Sequence, residues 1–138
     1  MTGILVVTHG NFGKALIESV EMIIGKQPNV EALGLMPGMD PIDFRKAILD
    51  TLKILPKKTI ILSDLFGGTP SNVSASISME YDIECISGVN MAILIEACTM
   101  RDVLDGECLI EDIINAGKDG FKDIKKEFIY FRKCNLKE

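Results

Sequence analysis

The sequence contains a single histidine, His9, two residues beyond the apolar run at residues 4–7. A neutral imidazole offers a nitrogen lone pair near pH 7, so a histidine suits the transient acceptance of a phosphoryl group. Asp64 follows a second apolar run, residues 59–62, at the equivalent place. A carboxylate beside a histidine accepts a hydrogen bond from one ring N–H and leaves the other ring nitrogen as the nucleophile. The two residues therefore indicate nucleophilic chemistry at His9, with Asp64 fixing the tautomer and stabilising the positive charge that develops on the ring.

A glycine-rich segment follows Asp64 and precedes a predicted helix. It reads Gly67-Gly68-Thr69-Pro70, and proline is common in the first turn of a helix. The amino end of a helix presents free N–H groups and the positive end of the helix dipole, both of which favour an anion. Two glycines also let the backbone approach a ligand closely. The segment predicts a site for phosphoryl oxygens, with the Thr69 hydroxyl either capping the helix or donating to the phosphate.

Each of these features also has an ordinary structural explanation. A lone histidine at the end of a strand is more often a turn or surface residue than a nucleophile. Asp64 alone fits a loop, and a Gly-Gly pair alone fits a turn. Their joint occurrence after strands that should be neighbours favours the functional interpretation.

Positioning these residues requires a sheet, and the hydrophobic pattern predicts one. Short apolar runs, typical of buried parallel strands, alternate with longer segments of helical period. The predicted strands are residues 4–7, 30–35, 59–62 and 83–86, and the predicted helices are residues 13–24, 41–55, 69–78, 92–100 and 110–125. This alternation predicts an α/β fold, a doubly wound and mostly parallel sheet with right-handed crossovers. In the flavodoxin-like order 2-1-3-4 the first and third strands are neighbours, which brings His9 and Asp64 side by side where such sheets bind ligands.

Composition narrows the class of protein. The 138 residues fit one domain, residues 1–138, and the hydrophobic share of 47% and charged share of 25% are typical of a globular chain. The net charge of −5, with scattered lysines and arginines, argues against a nucleic-acid surface. The absence of a bilayer-spanning apolar stretch and of a basic amino-terminal region predicts a cytoplasmic protein. The four cysteines form no CxxC pair and predict reduced thiols rather than a disulfide or a metal site.

Three motifs, in this order, resemble the mannose-family IIA domains of the sugar phosphotransferase system. They are Thr8-His9-Gly10 after the first strand, Asp64-Leu65-Phe66-Gly67-Gly68-Thr69-Pro70-Ser71-Asn72 after the third, and Gly88-Val89-Asn90 after the fourth. The second motif is quite specific to the family, and the resemblance spans nearly the whole chain.

The resemblance implies a function and a mechanism. His9 matches the histidine that takes phosphate from phospho-HPr and passes it to a IIB domain. Asp64 matches the acidic partner of that histidine, and Gly67, Gly68 and Thr69 match the loop on the phosphate side. The resemblance thus implies a phosphotransferase reaction that needs no metal or other cofactor. It implies contact with the membrane only indirectly, through the IIC/IID permease.

The family precedent also gives an expectation for the carboxyl-terminal part of the chain. Members form homodimers that exchange a C-terminal strand, and the β-prone run at residues 128–131 would supply that strand. The hydrophobic pattern itself leaves the place of this run in the sheet open. Two features depart from the family: Ala92 stands where many members have proline, and no IIB domain is fused, so the acceptor is expected to be a separate protein.

Three other functions fit part of the pattern. A phosphocarrier serving dihydroxyacetone kinase uses the same chemistry but lacks the Gly-Gly-Thr-Pro run. A histidine phosphatase or mutase wants an arginine before the histidine and a second histidine, whereas Thr8 precedes the only one here. A regulatory domain that is phosphorylated only to signal is the third alternative. The sequence does not indicate a sugar, because specificity in such systems lies in the membrane subunits.

Overall fold

The computed structural model describes residues 1–136, which form four strands and six helices. The strands are β1 (Gly3–His9), β2 (Val30–Leu35), β3 (Thr59–Ser63) and β4 (Cys85–Ile86). The helices are α1 (Phe12–Ile24), α2 (Pro41–Ile54), α3 (Thr69–Tyr81), α4 (Met91–Met100), α5 (Gly106–Asp119) and α6 (Ile124–Leu136). The elements up to α4 follow the predicted bounds to within about three residues, and β4 is the one that is clearly shorter than predicted.

The sheet is parallel throughout and has the order β2-β1-β3-β4. This confirms the predicted α/β fold and the predicted order 2-1-3-4. β1 lies between β2 and β3, so it has a hydrogen-bonded neighbour on each side. Because the strands are parallel, the residues that follow β1 and β3 leave the sheet at the same end. We call this the carboxyl end of the sheet and the opposite one the amino end.

Two hydrophobic layers sandwich the sheet, because side chains alternate along each strand. In β1, Ile4 and Val6 pack on one face with side chains of α1, α4 and α5. Leu5 and Val7 pack on the other face with side chains of α2 and α3. All four β1 residues are completely buried. A strand buried on both faces is held firmly, so the residue at its end has a fixed position.

Arg101, directly after α4, joins three chain segments at the amino end of the sheet. Its side chain is buried, with 3% of the residue exposed. The guanidinium donates to the carbonyl of Thr2 at 3.2 Å, to the carbonyl of Pro28 at 2.8 Å and to Oε1 of Gln27 at 3.3 Å. These bonds tie the start of β1 and the α1–β2 connection to the end of α4.

The last part of the chain differs from the sequence prediction in two ways. The single helix predicted at residues 110–125 is two helices, α5 and α6, separated after the cap residue Gly120. The strand predicted at residues 128–131 is wrong, because these residues lie inside α6.

The physical reason lies in what precedes the run of aromatic residues. Asp123 starts the helix: its side chain accepts from the backbone N–H of Lys126 at 3.1 Å, and its carbonyl accepts from Glu127. A β-prone segment forms a strand only where another strand can hydrogen-bond to its backbone. A helix makes its backbone hydrogen bonds internally, and a capping side chain adds a partner at its first turn. No residue of α6 is buried. Residues 1–136 therefore contain no carboxyl-terminal strand for an exchange, and dimerisation stays a prediction.

Candidate functional site

The register between β1 and β3 brings the predicted site residues together. Val7 pairs with Ser63, so His9 ends β1 beside the first residue after β3, which is Asp64. Thr8, directly before His9 in the chain, is completely buried, and its hydroxyl accepts a hydrogen bond from the backbone N–H of Gly13 at 2.9 Å. This bond closes the turn between β1 and α1, so the backbone on both sides of His9 is held.

Asp64 contacts His9 twice through the same oxygen. Its Oδ2 accepts from the backbone N–H of His9 at 2.9 Å and lies 2.8 Å from Nδ1 of the ring. Its Oδ1 accepts from the backbone N–H of Leu65 at 2.9 Å. The Asp64 side chain is 14% exposed and the His9 side chain 50%. The carboxylate is thus sheltered and oriented, while the ring faces solvent.

The electrostatics of Asp64 favour its charged form. Burial of the carboxyl raises the pKa of Asp64, but the hydrogen bonds from the His9 backbone and ring, the charge on His9 and the bond from Leu65 together outweigh it and leave that pKa below its usual value. The carboxylate is therefore ionised at neutral pH. An ionised Asp64 requires the proton of a neutral His9 to sit on Nδ1, so that Nε2 carries the lone pair.

Gly68 lies against the free side of the imidazole. A Cβ added to Gly68 would be 2.9 Å from Cε1 of His9 and 3.6 Å from Nε2. Any side chain at this position would therefore push the ring aside. The preceding Gly67 has φ of +88°, a backbone conformation that favours glycine, and it turns the chain towards α3.

The amino end of α3 is open beside this glycine. Gly68 is the N-cap, no side chain caps the helix, and Pro70 lies in its first turn. The first N–H groups of a helix have no partner within the helix, so this turn can donate to an anion. Thr69 was a candidate cap in the sequence, and that alternative is wrong: it is the first residue of the helix instead. The structure therefore brings His9, Asp64, Gly67, Gly68 and Thr69 to one place.

Gly34 is a contributor that the sequence did not indicate. A Cβ at this position of β2 would overlap the carbonyl of Gly10, directly after His9. Gly10 also donates its N–H to the carbonyl of Leu35 at 2.9 Å. A glycine inside a predicted strand was the available signal, since such a residue often marks a close approach of backbone.

The third motif, Gly88-Val89-Asn90, contacts the end of β3 directly before Asp64. The N–H of Val89 donates to the carbonyl of Ser63 at 2.9 Å, just before Asp64. Asn90 is the N-cap of α4 and accepts from the N–H of Ile93 at 2.9 Å. The side-chain cap starts α4 at Met91, so Ala92, the departure from the family pattern, leaves that helix start in place.

Exposed apolar side chains lie in the segments that follow β1, β2 and β3, at the same end of the sheet as His9. Phe66, in the loop after Asp64, is 87% exposed, and Leu65 beside it is 61% exposed. Phe12 at the start of α1 and Met36 after β2 are also exposed at this end of the sheet. An exposed apolar rim around a polar centre is typical of a surface that contacts another protein.

Comparison with known proteins agrees with this geometry. The family model described as EIIA-man, PTS system fructose IIA component, matches residues 3–114. The PTS system fructose-specific EIIA component of Bacillus subtilis (strain 168) is 32% identical over 118 residues, which are 83% of this chain and 78% of that protein. The PTS system mannose-specific EIIAB component of Escherichia coli (strain K12) is 30% identical over 130 residues, which are 88% of this chain but 39% of that protein.

A solved structure shows the same architecture. The crystal structure of phosphotransferase system component EIIA from Streptococcus agalactiae matches with a TM-score of 0.86 at 35% identity, over 91% of this chain and 99% of that chain. The chain therefore belongs to the EIIA-man family and is a IIA component of the sugar phosphotransferase system, which confirms the resemblance seen in its motifs. In residues 1–136, no helix combines the length and the apolar character needed to cross a membrane.

Proposed function

We propose that this chain is a phosphoryl carrier that accepts phosphate from phospho-HPr on His9 and passes it to a separate IIB protein. The observation that carries the proposal is the arrangement of the His9 ring. Its Nδ1 lies 2.8 Å from Asp64, and its other side lies against Gly68 at the uncapped start of α3. The ring is thus polarised on one side and open to an anion on the other.

The transfer step follows from this arrangement. The lone pair on Nε2 of His9 attacks the phosphorus atom of the phosphohistidine on HPr. The new P–N bond forms as the donor P–N bond breaks, and the donor imidazole leaves with the bonding electrons. Asp64 stabilises the positive charge that develops on the His9 ring, and it does so in a partly water-excluded position where charge interactions are stronger.

Gly67, Gly68 and Thr69 are the residues proposed to hold the transferred group. Backbone N–H groups at the start of α3 would donate to the phosphoryl oxygens, and the Thr69 hydroxyl would add a further donor. The second transfer repeats the first with the roles exchanged: a nucleophile on the IIB protein attacks the phosphorus, and Nε2 of His9 is the leaving group. The protein is therefore returned unchanged.

The proposal includes the setting of this reaction. Residues 1–138 act as a single IIA domain in the cytoplasm, and the membrane permease is reached only through the IIB protein. The chain acts as a homodimer, as the family precedent indicates, and α6 is the region proposed to pair. Its large apolar side chains are exposed, namely Ile124, Phe128, Ile129, Tyr130, Phe131 and Leu136.

One reconstitution tests the carrier role. Wild-type protein and His9→Ala are incubated with enzyme I, HPr and labelled phosphoenolpyruvate, and then with a IIB protein. We expect label on the wild type, its loss to the IIB protein, and no label on His9→Ala, because no other histidine is available. A label that mass spectrometry places on a serine, threonine or aspartate would contradict the proposal. A phosphohistidine that is never passed to any IIB protein would instead favour a regulatory role.

A further inference from the structure

The loop at residues 64–68 lies on both sides of the His9 ring, and its apolar side chains do little to hold it in place. Asp64 supplies one wall and Gly68 the other, on opposite sides of the ring. Between them, Leu65 and Phe66 extend into solvent, and Gly67 has no side chain. Hydrophobic packing therefore contributes little to this loop, and its conformation depends mainly on hydrogen bonds.

The carbonyl of Leu65 is the point at which these hydrogen bonds meet. It accepts from the backbone N–H of Gly68 at 3.1 Å and from the hydroxyl of Ser71 at 2.6 Å. Ser71 belongs to the first turn of α3 and is 7% exposed. A single carbonyl thus connects the loop to itself and to the helix.

The hydroxyl of Ser71 is in turn held from the sheet. Its Oγ lies 2.6 Å from Oγ of Ser63, the last residue of β3, which is 1% exposed. Since the Ser71 O–H is donated to Leu65, the Ser63 O–H is the donor between the two hydroxyls. The result is a buried chain of hydrogen bonds from the end of β3 through α3 to the loop, and bonds in such chains strengthen one another.

We propose that Ser71 is a positioning residue for phosphoryl transfer, because its hydroxyl fixes the Leu65 carbonyl and thereby sets the places of Asp64 and Gly68 around His9. Leu65 is the neighbour of Asp64 and also donates its N–H to Oδ1 of that carboxylate. A displaced Leu65 therefore moves the carboxylate away from Nδ1 and the start of α3 away from Nε2. Ser71 acts on both sides of the ring without touching it.

Two neighbouring residues at the start of α3, Ser71 and Asn72, both donate side-chain hydrogen bonds to the loop. Asn72 adds a weaker bond to the same loop, from its Nδ2 to the carbonyl of Gly67 at 3.3 Å. The hydrogen bond from Ser71 is the shorter and the more buried of the two.

The test compares Ser71→Ala with a matched control, Ser74→Ala. Ser74 lies one turn later in α3, is completely buried and donates to the carbonyl of Pro70 at 2.7 Å, so its loss also removes a buried hydroxyl from the same helix. Nitrogen-15 NMR of the unphosphorylated proteins reports the fraction of the Nδ1–H tautomer of His9, without ambiguity because His9 is the only histidine. Transfer from phospho-HPr is measured in parallel.

We expect Ser71→Ala to lower the Nδ1–H fraction and to slow transfer by about three- to tenfold, the effect of one lost positioning hydrogen bond. Ser74→Ala should change neither quantity. A folded Ser71→Ala protein with the wild-type tautomer and rate would overturn the inference. If Ser71→Ala does not fold, Ser71→Cys decides: its weak S–H donor should give an intermediate tautomer fraction, and a wild-type fraction would overturn the inference.

The kinetic readout rests on the proposed function, whereas the tautomer readout does not. If the wild-type protein accepts no phosphate from phospho-HPr, the carrier proposal fails, and the tautomer comparison still decides the role of Ser71. If transfer is normal in the wild type and in Ser71→Ala, only the positioning role fails.

Discussion

The amino end of the sheet carries a polar side chain whose partners are nearly all inside the protein, whereas the carboxyl end carries one that is half open. Arg101 at the amino end is 3% exposed and donates to two backbone carbonyls and a side-chain amide. The His9 side chain at the carboxyl end is 50% exposed. Within residues 1–136, its Nδ1 has a partner at 2.8 Å and its Nε2 has none.

The difference teaches how burial separates structural from chemical roles. A buried charge without partners costs several kcal/mol, so a chain that buries an arginine must surround it with acceptors. A ring nitrogen in contact with water has no such requirement, because water satisfies it until a substrate arrives. A buried residue such as Arg101, whose two terminal nitrogens are bonded inside the protein, serves stability. An exposed residue that is bonded on one side only can serve a reaction.

The largest effect is expected for Asp64→Ala, which removes the carboxylate beside Nδ1 of His9. Without the carboxylate, neither the tautomer nor the developing charge of His9 is stabilised. Transfer from phospho-HPr should slow by roughly 100-fold, or about 2.7 kcal/mol of transition-state stabilisation. Rapid-quench measurement of phosphoryl transfer checks this, and an unchanged rate in a folded variant would refute the assigned role.

Asp40→Ala is the matched control for Asp64→Ala. Asp40 caps α2 and accepts from the N–H of Ile42 at 2.7 Å, so its loss affects stability but not transfer.

The pH dependence of stability gives a second test of the role of Asp64. Because the pKa of Asp64 is lowered in the folded protein, its contribution to stability is present above the ordinary aspartate pKa of 3.8 and is lost as the pH falls through its folded value. The stability difference between the wild type and Asp64→Ala should shrink accordingly in acid.

Arg101→Met, at the amino end of the sheet, should lower the stability of the protein without slowing phosphoryl transfer. The substitution keeps an apolar stem but leaves the carbonyls of Thr2 and Pro28 without their donor. The free energy of unfolding should fall by about 2–4 kcal/mol, measured by urea denaturation, with the transfer rate of the folded protein unchanged. Arg45→Met is the control, because Arg45 bonds Ser76 and Glu80 at the surface and should contribute less than about 1 kcal/mol.

The smallest effect on stability is expected from deleting residues 127–138. No residue of α6 is buried within the chain, so at protein concentrations too low for pairing the truncated chain should unfold at nearly the same denaturant concentration as the full chain. The oligomeric state should change, since the exposed aromatic residues of α6 are the proposed pairing region: light scattering should find a dimer for the full chain and monomers, or insoluble protein, for the truncated one. A monomeric full chain at micromolar concentration, or a truncated chain that stays dimeric, would show that the dimer or the role of α6 is wrong.

The sequence predicted the sheet and the meeting of His9 with Asp64 because both depend on local patterns. Apolar runs and helical periods gave the element order, and the order gave the neighbours. Individual side-chain contacts carried no such signal: nothing in the sequence indicated that Arg101 would reach Thr2 or that Ser71 would bond Leu65.

The errors came from propensity taken without context. The aromatic run at residues 128–131 favours a strand only where another strand can pair with it, and the cap at Asp123 determined the outcome instead. The same holds for α3: the residue type of Thr69 predicts an N-cap, or else a phosphate donor, yet the N-cap is Gly68. The chain places glycine there because the His9 ring occupies the space that a Cβ would need.

The glycine N-cap at Gly68 limits how far α3 can be stabilised by design. Replacing Gly68 by serine or aspartate would satisfy an orphan amide of α3, although such exchanges at an N-cap usually gain only a few tenths of a kcal/mol. The same side chain would collide with the imidazole and occupy the donors that an incoming anion needs. The start of α3 has no side-chain cap. In the proposed mechanism, the phosphoryl group accepts from the free N–H groups of this turn and so caps the helix for as long as it is carried.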